Sequence, residues 1–150
     1  MSGTTRIVPS VFDKLNLRDQ AQLVVLNAPE SFEAQLDKLR GRRIVRGLKD
    51  SPQVGFALIF VSRQKQLNEL AAAVTRRAVD DPILWFAYPK GTSRKYRCDF
   101  SRDHGWDVLH EAGFDTVRQV AIDADCSALR FRRAKYINRK PVPAAKTRGG

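Results

Sequence analysis

Hydrophobic positions in this chain come in short blocks whose period changes from block to block, and the changes mark its elements. Leu23 to Leu26 form a compact apolar run that stops at Asn27-Ala28-Pro29, where proline pushes the preceding residue out of the helical region. Ser31 then stands as a cap for a helix over Phe32, Leu36 and Leu39, closed by Gly41. A weaker strand follows at Arg43 to Val45. Val54 to Val61 is continuously apolar, as expected of a strand buried on both faces. Leu67, Leu70, Ala71, Val74 and Ala78 recur at helical spacing behind a Ser62 cap, and that helix is predicted to end at Asp80-Asp81-Pro82. Ile83 to Pro89 reads as another core strand. Trp106, Leu109 and Ala112 mark a short helix closed by Gly113, and TVRQVAID and SALRFRR read as two strands around a turn at Ala124-Asp125.

Strands alternating with helices predict a small Rossmann-like α/β domain, with a mostly parallel sheet flanked by helices and a terminal antiparallel β-hairpin. With 150 residues, of which 43% are hydrophobic, the chain is sized for one such domain. Its expected bounds are 10–135, between a loose N-terminus at 1–9 and a flexible basic tail at 136–150. No run approaches the length of a membrane span and MSGTTRIVPS lacks a signal-peptide core, so the expectation is a cytoplasmic protein without membrane attachment.

The net charge of +11 changes the picture once it is located. From Arg130 onward there are eight basic residues and no acidic one, which leaves 19 basic against 16 acidic residues before it. The body is nearly balanced and the end is basic. Arg130, Arg132, Arg133, Lys135, Arg139 and Lys140 are therefore candidates for contacting a polyanion. In Leu129-Arg130-Phe131-Arg132 the alternation turns the leucine and phenylalanine to the core and both arginines to solvent, on a strand expected at the sheet edge.

Candidate chemistry is sparse. A nucleotide or S-adenosylmethionine site on such a fold calls for a glycine-rich first loop and an acid ending the second strand. The chain has Asn27-Ala28-Pro29-Glu30 and Arg46 at those places, so no cofactor is expected. The loop after Tyr88 is no P-loop, since its glycine follows its lysine. It nonetheless gathers Lys90, Gly91, Thr92, Ser93, Arg94 and Lys95 beyond the carboxyl end of a core strand, where an anion would bind. Cys98 beside Arg94 and Arg97 has cationic neighbours that favour a thiolate, but sequence proximity to His104 is no triad, and no catalytic residue and no metal site are assigned.

The segments VVLNAPESF, FALIFV, LWFAYPKGTS and VRQVAIDADCSALRFRR, taken in that order, resemble a family of small bacterial α/β proteins of unknown function, over about residues 10 to 133. The resemblance implies the fold and a bacterial cytoplasmic setting and carries no catalytic residues with it. The expected function is a non-enzymatic binding or adaptor domain whose basic C-terminus contacts nucleic acid or an acidic partner. The alternative is a small anion-binding protein or enzyme that uses the loop 90–95.

Overall fold

The structure, a computed structural model, describes residues 11–18, 20–39 and 41–137. The N-terminal segment 1–9 and all of the tail beyond Ile137, including Arg139 and Lys140, lie outside the described residues. Six strands form one sheet: β1 (Gln22–Leu26), β2 (Arg43–Val45), β3 (Val54–Phe60), β4 (Ala78–Pro89), β5 (Phe114–Ala121) and β6 (Cys126–Arg133). Their order across the sheet is β2-β1-β3-β4-β6-β5. The pairs β1–β2, β1–β3 and β3–β4 are parallel, and β6 runs antiparallel to both β4 and β5. The fold is Rossmann-like. Among the described residues four α-helices accompany it: α1 (Val11–Lys14), α2 (Glu33–Leu36), α3 (Gln64–Arg77) and α4 (Asp107–Glu111). Among the described residues no helix is long and apolar enough to cross a membrane.

The continuous apolar runs are explained by a core on each face. Val24, Ile59, Leu84, Phe86 and Phe131 pack under α3 and α4 with Leu67, Ala71, Val74, Trp106 and Leu109. Their sequence neighbours Leu23, Val25, Leu58, Trp85 and Ala87 pack on the other face under α1 and α2 with Phe12, Leu15, Phe32 and Leu36. Trp85 carries its indole N–H into that second core and donates it to the Leu15 carbonyl at 2.7 Å, so the buried polar atom is satisfied.

Three local expectations change. The helix expected over Phe32, Leu36 and Leu39 is a 3₁₀ turn at Glu30–Phe32 running into the one-turn α2, and Pro29 rather than Ser31 precedes it. Ala78 opens β4 instead of closing α3, because it pairs with Val54 across the sheet. Ladder pairing then skips to Phe56 opposite Ile83, so Pro82 sits in a bulge where its missing N–H is not needed. Finally, β6 is not the edge strand: it lies between β4 and β5, and β5 is the edge.

That placement fixes what the terminal arginines do. Arg132 grips Asp81 with two charge-assisted bonds of 2.9 and 2.7 Å, and Arg133 donates to the carbonyls of Ala78, Val79 and Asp80 while lying 4.8 Å over the Phe114 ring. Lys135 pairs with Asp80 at 3.3 Å and Tyr136 hydrogen-bonds the same carboxylate. Arg130, expected in solvent, is half-buried between Trp85 and Arg118 in the ladder, with its Nε sealed from water and without a partner among the described residues. Arg132, Arg133 and Lys135 therefore tie the end of β6 and the turn after it to the bulged start of β4.

Candidate functional site

At the carboxyl end of β4 the chain leaves the sheet as a long loop, residues 90–106, that returns across the α3–α4 face before entering α4. Both of its ends are anchored. At the start, the Lys90 N–H donates to the Asp125 carbonyl at 2.8 Å, and the Ser93 hydroxyl donates to the Asp125 carboxylate at 2.8 Å while accepting the Lys95 and Tyr96 amides at 3.1 Å. Asp123 in turn receives the Asp125 and Cys126 amides at 2.8 Å, which sets the β5–β6 turn that holds the loop. At the far end, Asp99 caps α3: its carboxylate accepts the Gln64 amide at 2.6 Å, a role expected of Ser62. The Gln64 side chain donates to the Gly105 carbonyl at 2.7 Å, and Trp106 closes the segment by donating its indole N–H to Ser101 at 2.8 Å.

Between this loop and the sheet lies a pocket of about 720 Å³. Its floor is the end of the sheet itself, where Tyr88 of β4, Ser127 of β6 and Gln119 of β5 stand on three adjacent strands. Gln119 donates its amide to the Tyr88 hydroxyl oxygen at 3.1 Å, and the Tyr88 O–H proton finds no acceptor among the described residues. Burial raises the Tyr88 pKa, so this hydroxyl stays a donor. Ser51, with no exposure, and Ser127 are the buried serines among the described residues. Ser51 is accounted for by Gln22 and the Gln53 carbonyl, each at 2.9 Å. Ser127, 6% exposed, has no such partner and opens into the pocket.

The rim is cationic. Lys90, Arg94, Arg97 and Arg102 line the pocket, and among the described residues no aspartate or glutamate does. Arg102 shares an exposed pair with Asp103 at 3.2 Å, worth little in water. The side chains of Lys90, Arg94 and Arg97 have neither an ionic nor a hydrogen-bonding partner among the described residues, in contrast with Arg42, Arg46, Arg132 and Arg133, which the fold uses as ties. Tyr96, Phe100 and Pro89 supply the apolar wall.

Of the six residues expected to bind an anion, Lys90, Gly91, Ser93 and Arg94 line this pocket. Thr92 and Lys95 do not, and Lys95 lies 5.4 Å over the Tyr96 ring. Ser93 is committed to holding the loop. Sequence reasoning missed Arg97 and Arg102, although they continue the same basic run, and it missed the floor, whose Gln119 and Ser127 come from distant strands. The cationic neighbours that would favour a thiolate at Cys98 are outweighed: burial pushes its thiol up, against the Phe100 backbone bond that lowers it. Cys126 is raised to about 11, first by burial and then by Asp123 and Asp125.

A second, smaller cavity of about 150 Å³ lies at the ends of β1 and β3, where the strand order reverses. Open α/β sheets bind their ligands in this crevice. Here Asn27, at φ 61°, donates across it to the Phe60 carbonyl at 3.3 Å, Pro29 offers no N–H, and Phe32 packs edge-on against Phe60 at 5.1 Å. At the end of β2, Arg46 clasps Glu33 of α2 with bonds of 2.8 and 2.9 Å.

No protein-family model matches the chain, and no curated protein matches it. Its fold does match solved structures. The mitomycin 7-O-methyltransferase MmcR aligns at 12% identity with a TM-score of 0.56, over 81% of this chain and 52% of that one. Magnesium protoporphyrin IX methyltransferase (ChlM) from Synechocystis PCC 6803 with bound SAH aligns at 11% identity and TM-score 0.52, over 83% of this chain and 78% of that one. The same enzyme with bound SAM aligns at 13% and 0.51, over 83% and 74%. At these identities the likeness is one of fold. It overturns the expectation of a non-enzymatic binding or adaptor domain, which rested on charge: the architecture is one that enzymes use, and Lys135, the one described basic residue after β6, is bound into the fold together with Arg132 and Arg133.

The cofactor named in the ChlM structures does not fit the crevice of this chain. A site for a ligand of that size encloses about 300–1,000 Å³, and the crevice offers about 150 Å³, with a proline and no glycine among its described lining residues; the residue ending β2 is Arg46, already paired with Glu33.

Proposed function

We propose that the protein is an enzyme that holds a small anionic substrate in the basic pocket at the carboxyl ends of β4 and β6. The fold it shares with MmcR and ChlM supports an enzyme. The observation that carries the anion is the coincidence, in one pocket, of three cations without partners, a serine hydroxyl without a partner on a largely buried residue, and no acidic residue among the described lining residues. Arginine forks and a lysine give charge-assisted bonds to oxyanions, and the Tyr88 and Ser127 hydroxyls complete the set of donors on a rigid floor. Burial pushes the Cys98 thiol up, and the pocket's cations and hydroxyls bind and orient the substrate.

Binding of orthophosphate tests this reading. At about 100 times its dissociation constant a ligand stabilises by roughly 2.7 kcal/mol, a rise in Tm of about 5–10 °C for a domain of this size. The wild-type protein is expected to show that rise, Arg94→Ala/Arg97→Ala to lose it, and Arg132→Ala to keep it at a lower starting Tm. Absence of any shift for the wild type with millimolar phosphate would sink the proposal.

Methyl transfer is the second reading, favoured by the fold of the two methyltransferases. It requires the crevice beside Asn27 and Pro29 to open. S-adenosylmethionine at millimolar concentration is expected to leave the Tm unchanged, and a saturable shift with it would reinstate methyl transfer in place of the closed crevice.

A further inference from the structure

We infer that the ligand of the basic pocket carries a diphosphate group attached to an organic body. This inference rests on the anion-binding reading above and gives it a substrate class. Charge is the first ground. Lys90, Arg94 and Arg97 are without partners among the described residues and Arg102 has only its exposed bond to Asp103, with no acid among the lining residues. A ligand with one negative charge would leave at least two of these rim cations without a counter-charge. A diphosphate, with two to three charges at neutral pH, balances them.

Geometry is the second ground. The donors fall into two tiers rather than one ring. Ser127 and Tyr88 stand on the sheet floor, held there by the register that places them opposite each other across β4 and β6. Lys90, Arg94, Arg97 and Arg102 stand on the loop that forms the rim. One tetrahedral oxyanion on the floor is served by the hydroxyl donors, and a second, linked to it, is within the domain of the guanidinium forks, which suit bidentate phosphate binding. Size is the third. A cavity of about 720 Å³ far exceeds one phosphate and falls in the range of whole small-molecule sites. Its remaining wall, Tyr96, Phe100 and Pro89, is apolar, as an organic body bonded to the diphosphate requires.

Calorimetric titrations of the full chain, at matched ionic strength, distinguish this inference from the reading beneath it. The probes are orthophosphate, pyrophosphate, citrate, a nucleoside diphosphate and a short alkyl diphosphate. Pyrophosphate is expected to bind at least tenfold more tightly than orthophosphate and than citrate. Arg97→Ala/Arg102→Ala is expected to lower pyrophosphate affinity several-fold more than orthophosphate affinity, so that most of that advantage disappears, and Ser127→Ala to weaken both phosphates alike. Both variants alter exposed loop positions or delete one unpaired hydroxyl, so they should retain the wild-type melting transition, which a thermal scan verifies. If the nucleoside diphosphate outbinds pyrophosphate the organic body is a nucleoside, and if the alkyl diphosphate does it is a hydrocarbon chain; either supports the inference. Pyrophosphate binding no tighter than orthophosphate, or citrate binding as tightly as pyrophosphate, overturns the diphosphate assignment and leaves an anion pocket standing. No binding of any probe overturns the pocket reading itself.

Discussion

Replacing Trp106 with alanine is expected to lower stability by about 3–5 kcal/mol, the range for deleting a fully buried aromatic side chain. For a domain of this size that is a fall in Tm of about 10 °C or more. Trp106 is 3% exposed and its ring lies 5.2 to 6.2 Å from those of Phe86, Tyr88, Phe100 and Phe131, so its loss leaves a cavity walled by four aromatic rings. Its removal also frees the Ser101 carbonyl, which holds the last turn of the pocket loop. Stability and pocket geometry are thus expected to fail together. Thermal unfolding followed by near-UV circular dichroism measures the first. A Tm within 3 °C of wild type would show that Trp106 is not the keystone between sheet and loop.

Gly105→Ala is expected to damage the pocket more than the fold. Gly105 has φ +107°, a conformation L residues rarely adopt, and an added Cβ would lie 2.5 Å from the Gln64 side-chain oxygen and 2.8 Å from the Phe100 Cβ. Gln64 can swing away, at the cost of its bond to the Gly105 carbonyl, but the Phe100 Cβ moves only with its backbone. The segment 100–105 must therefore shift, at a cost of about 1–3 kcal/mol in backbone strain. Phosphate affinity is expected to fall at least tenfold while cooperative unfolding persists. Gln64→Ala removes the same anchor without the steric clash and should produce a smaller loss of affinity. Wild-type phosphate binding in Gly105→Ala would show that the loop does not depend on this turn.

How much of this was legible beforehand depended on whether the signal was local. The β3 run and the α3 stripe were read with nearly the right bounds because burial on both faces, or on one helical face, is written in consecutive residues. Ala78 was misread because an apolar residue at i+11 fits a helix as well as a strand, and its pairing with Val54 is a long-range fact. The insertion of β6 between β4 and β5 was invisible for the same reason: a hairpin has the same alternation at an edge as in the interior. The arginines of β6 carried a charge that pattern reading turned to solvent, yet their partners Asp80 and Asp81 lie about fifty residues earlier. Half of the pocket was legible, since Lys90 to Arg94 form one loop beyond a strand end. Its floor was not, because Tyr88, Gln119 and Ser127 meet only through the strand order.

The central claim is that ligands enter between the loop 90–106 and the sheet and not at the crevice beside β1. An amide-resolved NMR titration of the isotope-labelled full chain with phosphate tests it most directly. The account predicts saturable shifts at Tyr88, Lys90 to Arg97, Gln119 and Ser127, with Asn27, Glu30 to Phe32 and Phe60 unmoved. Shifts confined to Asn27, Glu30 to Phe32 and Phe60, or no saturable shift at all, would contradict it.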